Sequence, residues 1–358
     1  MGQMAAPTKE IVITGIKPTG KVHVGNYIGA IKPALELART PMGKTAQEME
    51  HVLKSGQVQE GGRTVLFFIA DYHGLILIQD AREFRELSYR IAATWLALGL
   101  DPSKVVFYRQ SDVPEIFELT WILSCLTPKG LMNRAHAYKA IVERNEQAGV
   151  DPDAGVNMGL YTYPILMAAD ILLFQSDLVP VGKDQAQHVE IARDLAEAFN
   201  RQYGETFNLP RHLMGETTAV IPGLDGRKMS KSYGNTIPLF EPEEELSKLI
   251  ARIKTDSTLP NEPKDPDNSS VFLLYKEFAE VERTRAFREK LLQGIGWGEA
   301  KRELFQVMNE FLAEPRRKYR ELLADPAELD RILAEGARKA RELAAPTLSK
   351  VRERIGRR

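Results

Sequence analysis

Short β-branched runs alternate with longer amphipathic stretches over the first two-thirds of the chain, and this rhythm constrains the fold more than any other feature. Ile11-Val-Ile-Thr14 reads as a buried strand, followed by a helical stretch near Tyr27 to Ala38. Thr64 to Ala70 and Val105 to Tyr108 read as further strands, followed by helical patterns at Glu83 to Leu98 and Glu115 to Leu126. Another short strand ends at Gly182. Strand–helix–strand order predicts an α/β fold, a parallel sheet with helices on both faces. Ligands of such sheets sit beyond the carboxyl ends of the strands. That directs attention to residues just after Ile13, Ile69, Phe107 and Val181.

A chain of 358 residues exceeds the usual size of one core and predicts two units. Strand signals end near Leu239, Pro260 to Ser270 reads as a loop, and helical patterns run from Val271 onward. The expected division is therefore 1–240 for a sheet-based catalytic unit and 241–358 for a helical one. Thr40 to Gly62 interrupts the rhythm with Pro41, Gly43, Gly56, Gly61 and Gly62, the pattern of a surface insertion without chemistry. The formal charge of -1 shows no global basic field, and no DNA partner is expected. Arg316 to Arg358 nevertheless carries thirteen Lys/Arg against seven Asp/Glu. A solvated helix face and an RNA-facing surface both account for that bias. Single Cys125 excludes an intrachain disulfide framework and any cysteine-cage metal site. The start lacks a signal-type apolar run, and no stretch approaches a membrane span, so a soluble, cytoplasmic protein is expected.

Three segments carry chemistry. Gly15-Ile-Lys-Pro-Thr-Gly-Lys-Val-His-Val-Gly-Asn26 follows the first strand and opens a helix, where backbone N–H groups and a positive helix end suit a phosphate. A tight glycine-rich connection explains the same glycines without a ligand. The spacing is not the dinucleotide fingerprint GxGxxG, and no acidic residue follows at the usual distance. Leu224-Asp-Gly-Arg-Lys-Met-Ser-Lys-Ser-Tyr-Gly-Asn235 is a cationic loop between glycines, suited to charge developing on a departing polyphosphate. Tyr161 to Phe174 is predicted helical after Pro164, with Tyr163, Met167 and Asp170 on one face. Asp170 stands in an apolar stripe, so it needs a hydrogen-bond donor, from the structure or from a ligand.

His23-Val-Gly-Asn26 together with Lys228-Met-Ser-Lys-Ser232 resembles the paired signatures of class I aminoacyl-tRNA synthetases. Asn26 stands where the commoner pattern has a second histidine, as in the tryptophan and tyrosine subclass. The resemblance runs from Ile11 to about Leu348 and implies a Rossmann-like fold, amino-acid activation by ATP, and transfer to the 3′ end of tRNA. Tyrosyl members resemble the Asp170 segment but carry Gln at the position of Met167. The set Tyr163, Met167 and Asp170 looks like the tryptophan branch, whose aspartate binds the indole N–H. One donor and a broad apolar face suit a carboxylate and a soft thioether.

By the same resemblance, Lys17, Pro18, Thr19, Gly25, Asn26, Gly182, Lys183, Asp184, Val220, Lys228, Met229, Ser230, Lys231 and Ser232 contact ATP, with His23, Lys228 and Lys231 catalytic. Asp184 has a second reading as a helix cap, with Gln187 at capping-box spacing. Gln185 and His73 join the tryptophan site, although His73 also fits a satisfied core histidine. Mg²⁺ is expected on the ATP phosphates rather than in a protein cage. tRNA(Trp), L-tryptophan and ATP are the implied partners, and a homodimer the implied assembly. A tyrosyl enzyme, a small-molecule nucleotidyltransferase and a non-catalytic RNA-binding paralogue are the rival readings.

Overall fold

A computed structural model describes residues 10–39, 63–182, 185–213 and 221–357. Five strands, β1 (Glu10–Ile16), β2 (Arg63–Ile69), β3 (Val106–Arg109), β4 (Leu178–Pro180) and β5 (Arg211–Leu213), form one sheet in the order β3-β2-β1-β4-β5. Every adjacent pair is parallel, with Ile13 opposite Leu66 and Leu66 opposite Val106. The sequence contains no clear signal for β5, since Arg-His-Leu lacks β-branched residues and pairs through its backbone.

Because side chains alternate along a strand, Val12, Val65, Phe67, Ile69 and Phe107 enter one core, and Ile13, Leu66, Phe68, Val106 and Tyr108 the other. Both faces are covered, as a parallel sheet requires. α1 (Ala81–Ala97) packs on the first face, and α2 (Glu115–Ser124), α3 (Met158–Leu172) and α4 (Ala186–Tyr203) on the second. α3 begins six residues before Pro164, contrary to the expected start. Asn157 accepts from the Leu160 N–H and nucleates the helix, which tolerates Pro164 within it.

After the loop that carries Lys264 come α5 (Trp297–Ala324) and α6 (Pro326–Arg354). Leu329 and Leu333 of α6 join the first core, whereas Ala337, Ala340, Ala344, Leu348 and Val351 join the second. The helix thus passes over the sheet's β3 edge and covers it. Gly336 makes the crossing possible, because a Cβ there would overlap the Phe107 carbonyl. Arg341 and Arg352 of α6 pair with Glu115 and Glu118 of α2, so part of the carboxyl-terminal positive charge serves docking. Both cores include side chains from before and after residue 240. The 40–62 insertion, Lys183, Asp184 and Val220 lie outside the described residues.

Candidate active site

The strand order reverses at β1, and the site is built where β1 ends. Ala70 N–H donates to the Ile16 carbonyl, and Gly74 leaves room for the Pro18 ring 3.4 Å from where its Cβ would lie. This brings the turn after β1 against the turn Asp71–Gly74 after β2. Gly20 adopts φ +60°, a left-handed conformation that favours glycine.

His23 caps the helix that opens at Val24. Its Nδ1 accepts from the Asn26 N–H at 3.3 Å, while its own N–H donates to Asn26 Oδ1 at 3.2 Å. The His–x–x–Asn spacing is therefore a reciprocal capping box. Gly25 stands between them because a Cβ would crowd the His23 ring at 3.1 Å. Burial, with the Lys231 charge adding to it, lowers the His23 pKa from 6.5 to about 4. The imidazole is neutral at pH 7, its Nδ1 is an acceptor, and its proton sits on Nε2, free to be donated.

The cationic loop is tied to this turn by three devices. Gly25 N–H donates to Met229 Sδ at 3.2 Å. Val24 N–H donates to the Ile237 carbonyl and Leu239 N–H to the Val22 carbonyl, forming a short antiparallel bridge. Lys231 Nζ donates to the Thr19 carbonyl. Partial burial lowers the pKa of both Lys17 and Lys231, so each ammonium gains from an incoming anion. Lys228 and Ser232 are exposed. The loop's shape is held by buried Asn235: its Oδ1 accepts from the Ser230 N–H, and its Nδ2 donates to Asp225 and the Lys228 carbonyl. Those bonds, with Arg227, lower the Asp225 pKa to about 2.

Asp170 lies on α3 with no solvent exposure. Gln110, just beyond β3, donates through Nε2 to both carboxylate oxygens at 2.8 Å. His73 Nε2 donates to Oδ2 at 3.0 Å. Burial raises the Asp170 pKa, and the bonds from His73 and Gln110 oppose that shift. Tyr163 meets His73 edge-on with ring centroids 6.1 Å apart, and its hydroxyl is hydrogen-bonded to His188 Nε2 at 2.6 Å. Met167, one turn after Tyr163 on α3, is half-buried.

The structure brings Thr19, His23 and Gly25 together with Met229 and Lys231; Lys17, Pro18 and Asn26 lie in the same turn, and Ser230 in the same loop. His73, Tyr163 and Asp170 form a second cluster. Gln187 is not a capping-box partner: its side chain accepts from the His136 N–H and donates to the Arg134 carbonyl, and Gln185 occupies the cap position. Gln110, Asn235 and His188 were missed. Gln110 sits where the strand-end rule points, but no motif marks it. A groove of about 630 Å³ between Arg109, Glu115 and Arg341 shares none of these residues. Its charged walls are largely paired within the chain, as Arg109–Asp112 and Arg341–Glu115.

The family model for class I tRNA synthetases (W and Y) matches residues 7–313. The tryptophan–tRNA ligase of Pseudomonas aeruginosa is 52% identical over 348 residues, 96% of this chain and 73% of that protein. The Neisseria meningitidis tryptophan–tRNA ligase is 49% identical, covering 98% of both chains. The tryptophanyl-tRNA synthetase structure from Campylobacter jejuni, complexed with ADP and tryptophan, aligns at a TM-score of 0.81 with 42% identity over 97% of this chain and 99% of that one. A capped His–x–x–Asn turn tethered to a Lys–Met–Ser–Lys–Ser loop, together with matches of this extent, places the chain in the class I tRNA synthetases of the tryptophan and tyrosine type.

Proposed function

We propose that this protein is a tryptophan–tRNA ligase. The tryptophan carboxylate attacks the α-phosphate of MgATP, the bond to the β-phosphate breaks, and tryptophanyl-adenylate and pyrophosphate form. A terminal ribose hydroxyl of tRNA(Trp) then attacks the adenylate carbonyl, releasing AMP and leaving the amino acid esterified to the RNA. The first step needs no protein base, because the amino acid supplies its own nucleophile. Positioning and charge stabilisation do the work. Lys228 and Lys231 neutralise the departing pyrophosphate, and His23 donates through Nε2–H to a phosphate oxygen. Lys17, Pro18, Thr19, Gly25, Asn26, Gly182, Lys183, Asp184, Val220, Met229, Ser230 and Ser232 hold the nucleotide. Mg²⁺ arrives with the ATP phosphates.

Tryptophan lies with its ring against Met167 and Tyr163, its indole N–H on Asp170, and its α-groups near Gln185; His73 borders the same pocket. The buried Asp170 carboxylate carries this reading, since a donor-only ring completes it and a ring without a donor leaves it underbonded. Residues 241–358 serve the anticodon side of the tRNA. A homodimer is supported by exposed apolar side chains: Tyr72 packs on Phe117 one turn before Trp121, and exposed Met158 follows Asn157, which donates to the Ile76 carbonyl. No described helix is long and apolar enough to cross a membrane, which fits a cytoplasmic enzyme.

Pyrophosphate exchange into ATP, run separately with Trp, Tyr and Phe, tests the assignment. Exchange with Trp alone is expected in the wild type. Asp170→Ala is expected to narrow the gap between Trp and Phe by about tenfold or more. Exchange driven best by Tyr would overturn the reading.

A further inference from the structure

Asp170 is buried, yet the carboxylate contact assigned to it requires the charged form and one oxygen left open. We propose that Gln110 is the positioning residue that meets both requirements, fixing the carboxylate plane so that Oδ1 is the oxygen that receives the substrate N–H. This rests on the tryptophan reading above.

The geometry distinguishes the two oxygens. Among the described residues, Oδ2 accepts from His73 and from Gln110, whereas Oδ1 accepts from Gln110 alone. An ionised carboxylate has roughly two acceptor sites per oxygen, so Oδ1 retains room and Oδ2 is filled. The amide orientation follows from chemistry: with Oε1 turned toward Asp170, two acceptors would oppose each other. Gln110 is fully buried, and its Oε1 has no partner among the described residues, so the side chain is held chiefly by what it gives to Asp170.

Other polar groups near Asp170 or on the surrounding elements do not replace it. His73 comes from the turn after β2, and Tyr108 from β3 has a buried hydroxyl without a partner among the described residues. Tyr163, on the same helix as Asp170, is bonded to His188 of α4. Asp71 is occupied by Ser111 and by the Tyr72 N–H, and Glu115 and Glu118 of α2 by Arg341 and Arg352. Among the described residues, only Gln110 donates to both oxygens. Loss of that donor leaves burial less opposed, so the Asp170 pKa moves further in the raised direction.

The test is the pH dependence of the tryptophan KM in pyrophosphate exchange, for wild type, Gln110→Met, Gln110→Asn and Asp170→Ala. Gln110→Met keeps the length without the donor. It is expected to raise KM about tenfold at pH 7, to change kcat far less, and to move the acid-side rise in KM upward by about one pH unit. Gln110→Asn, which keeps a shorter amide, is expected to move it less in the same direction and decides the matter if the Met variant fails to fold. A KM raised equally at every pH would mark Gln110 as mere packing and overturn the proposal. So would wild-type profiles in both variants while Asp170→Ala has lost tryptophan. If instead Asp170→Ala keeps the wild-type KM, the assignment of the pocket fails first.

Discussion

A histidine that caps a helix through Nδ1 stores a pH dependence in the fold. His23 is neutral when folded, with its pKa lowered to about 4, and titrates near 6.5 when unfolded. Between those values the unfolded chain binds more protons, so this contribution is complete above pH 6.5 and lost as pH falls toward 4. Thermal melts from pH 8 to 4 are expected to show that decline, and His23→Asn, which keeps a capping acceptor, to flatten it. Identical slopes would mean the ring is not held neutral. The role proposed for Lys231 is catalytic instead: Lys231→Ala is expected to slow adenylate formation roughly a hundredfold while tryptophan KM moves under about threefold. Equal losses in both would deny it a transition-state role. His23 and Lys231 were legible because they lie in contiguous strings. Gln110 and Asn235 were not, because each acts on partners that only chain crossing or loop closure brings near.

Elements were legible in proportion to their local pattern. β1, β2 and β3 are apolar runs bounded by turn residues, and the helices that follow them were expected within a few positions. α3 was misjudged at its start, since Pro164 is a strong local breaker and the Asn157 cap outweighs it through an added hydrogen bond. α6 shows a cost hidden from the sequence. Glycine in a helix interior is unfavourable by about 1 kcal/mol relative to alanine. Gly336→Ala is nonetheless expected to destabilise by about 3 kcal/mol, because the methyl meets the Phe107 carbonyl of the edge strand. Urea melts would show it, and a stabilised variant would mean α6 stands off from β3.

For the molecule as a whole, the apolar patch around Trp121, 72% exposed, is expected to be covered by a second copy. Trp121→Glu is expected to convert a dimer to a monomer in sedimentation velocity, and an unchanged dimer would place the interface elsewhere. The amino-acid sequence was sufficient for the α/β class and the two signature strings, since periodicity and motif spacing are short-range properties of the chain. Folding was needed to put the Lys228–Ser232 loop on the His23 turn, Gln110 under Asp170, and α6 across the β3 edge. These contacts join residues 60 to more than 200 positions apart, and no local pattern encodes a meeting at that separation.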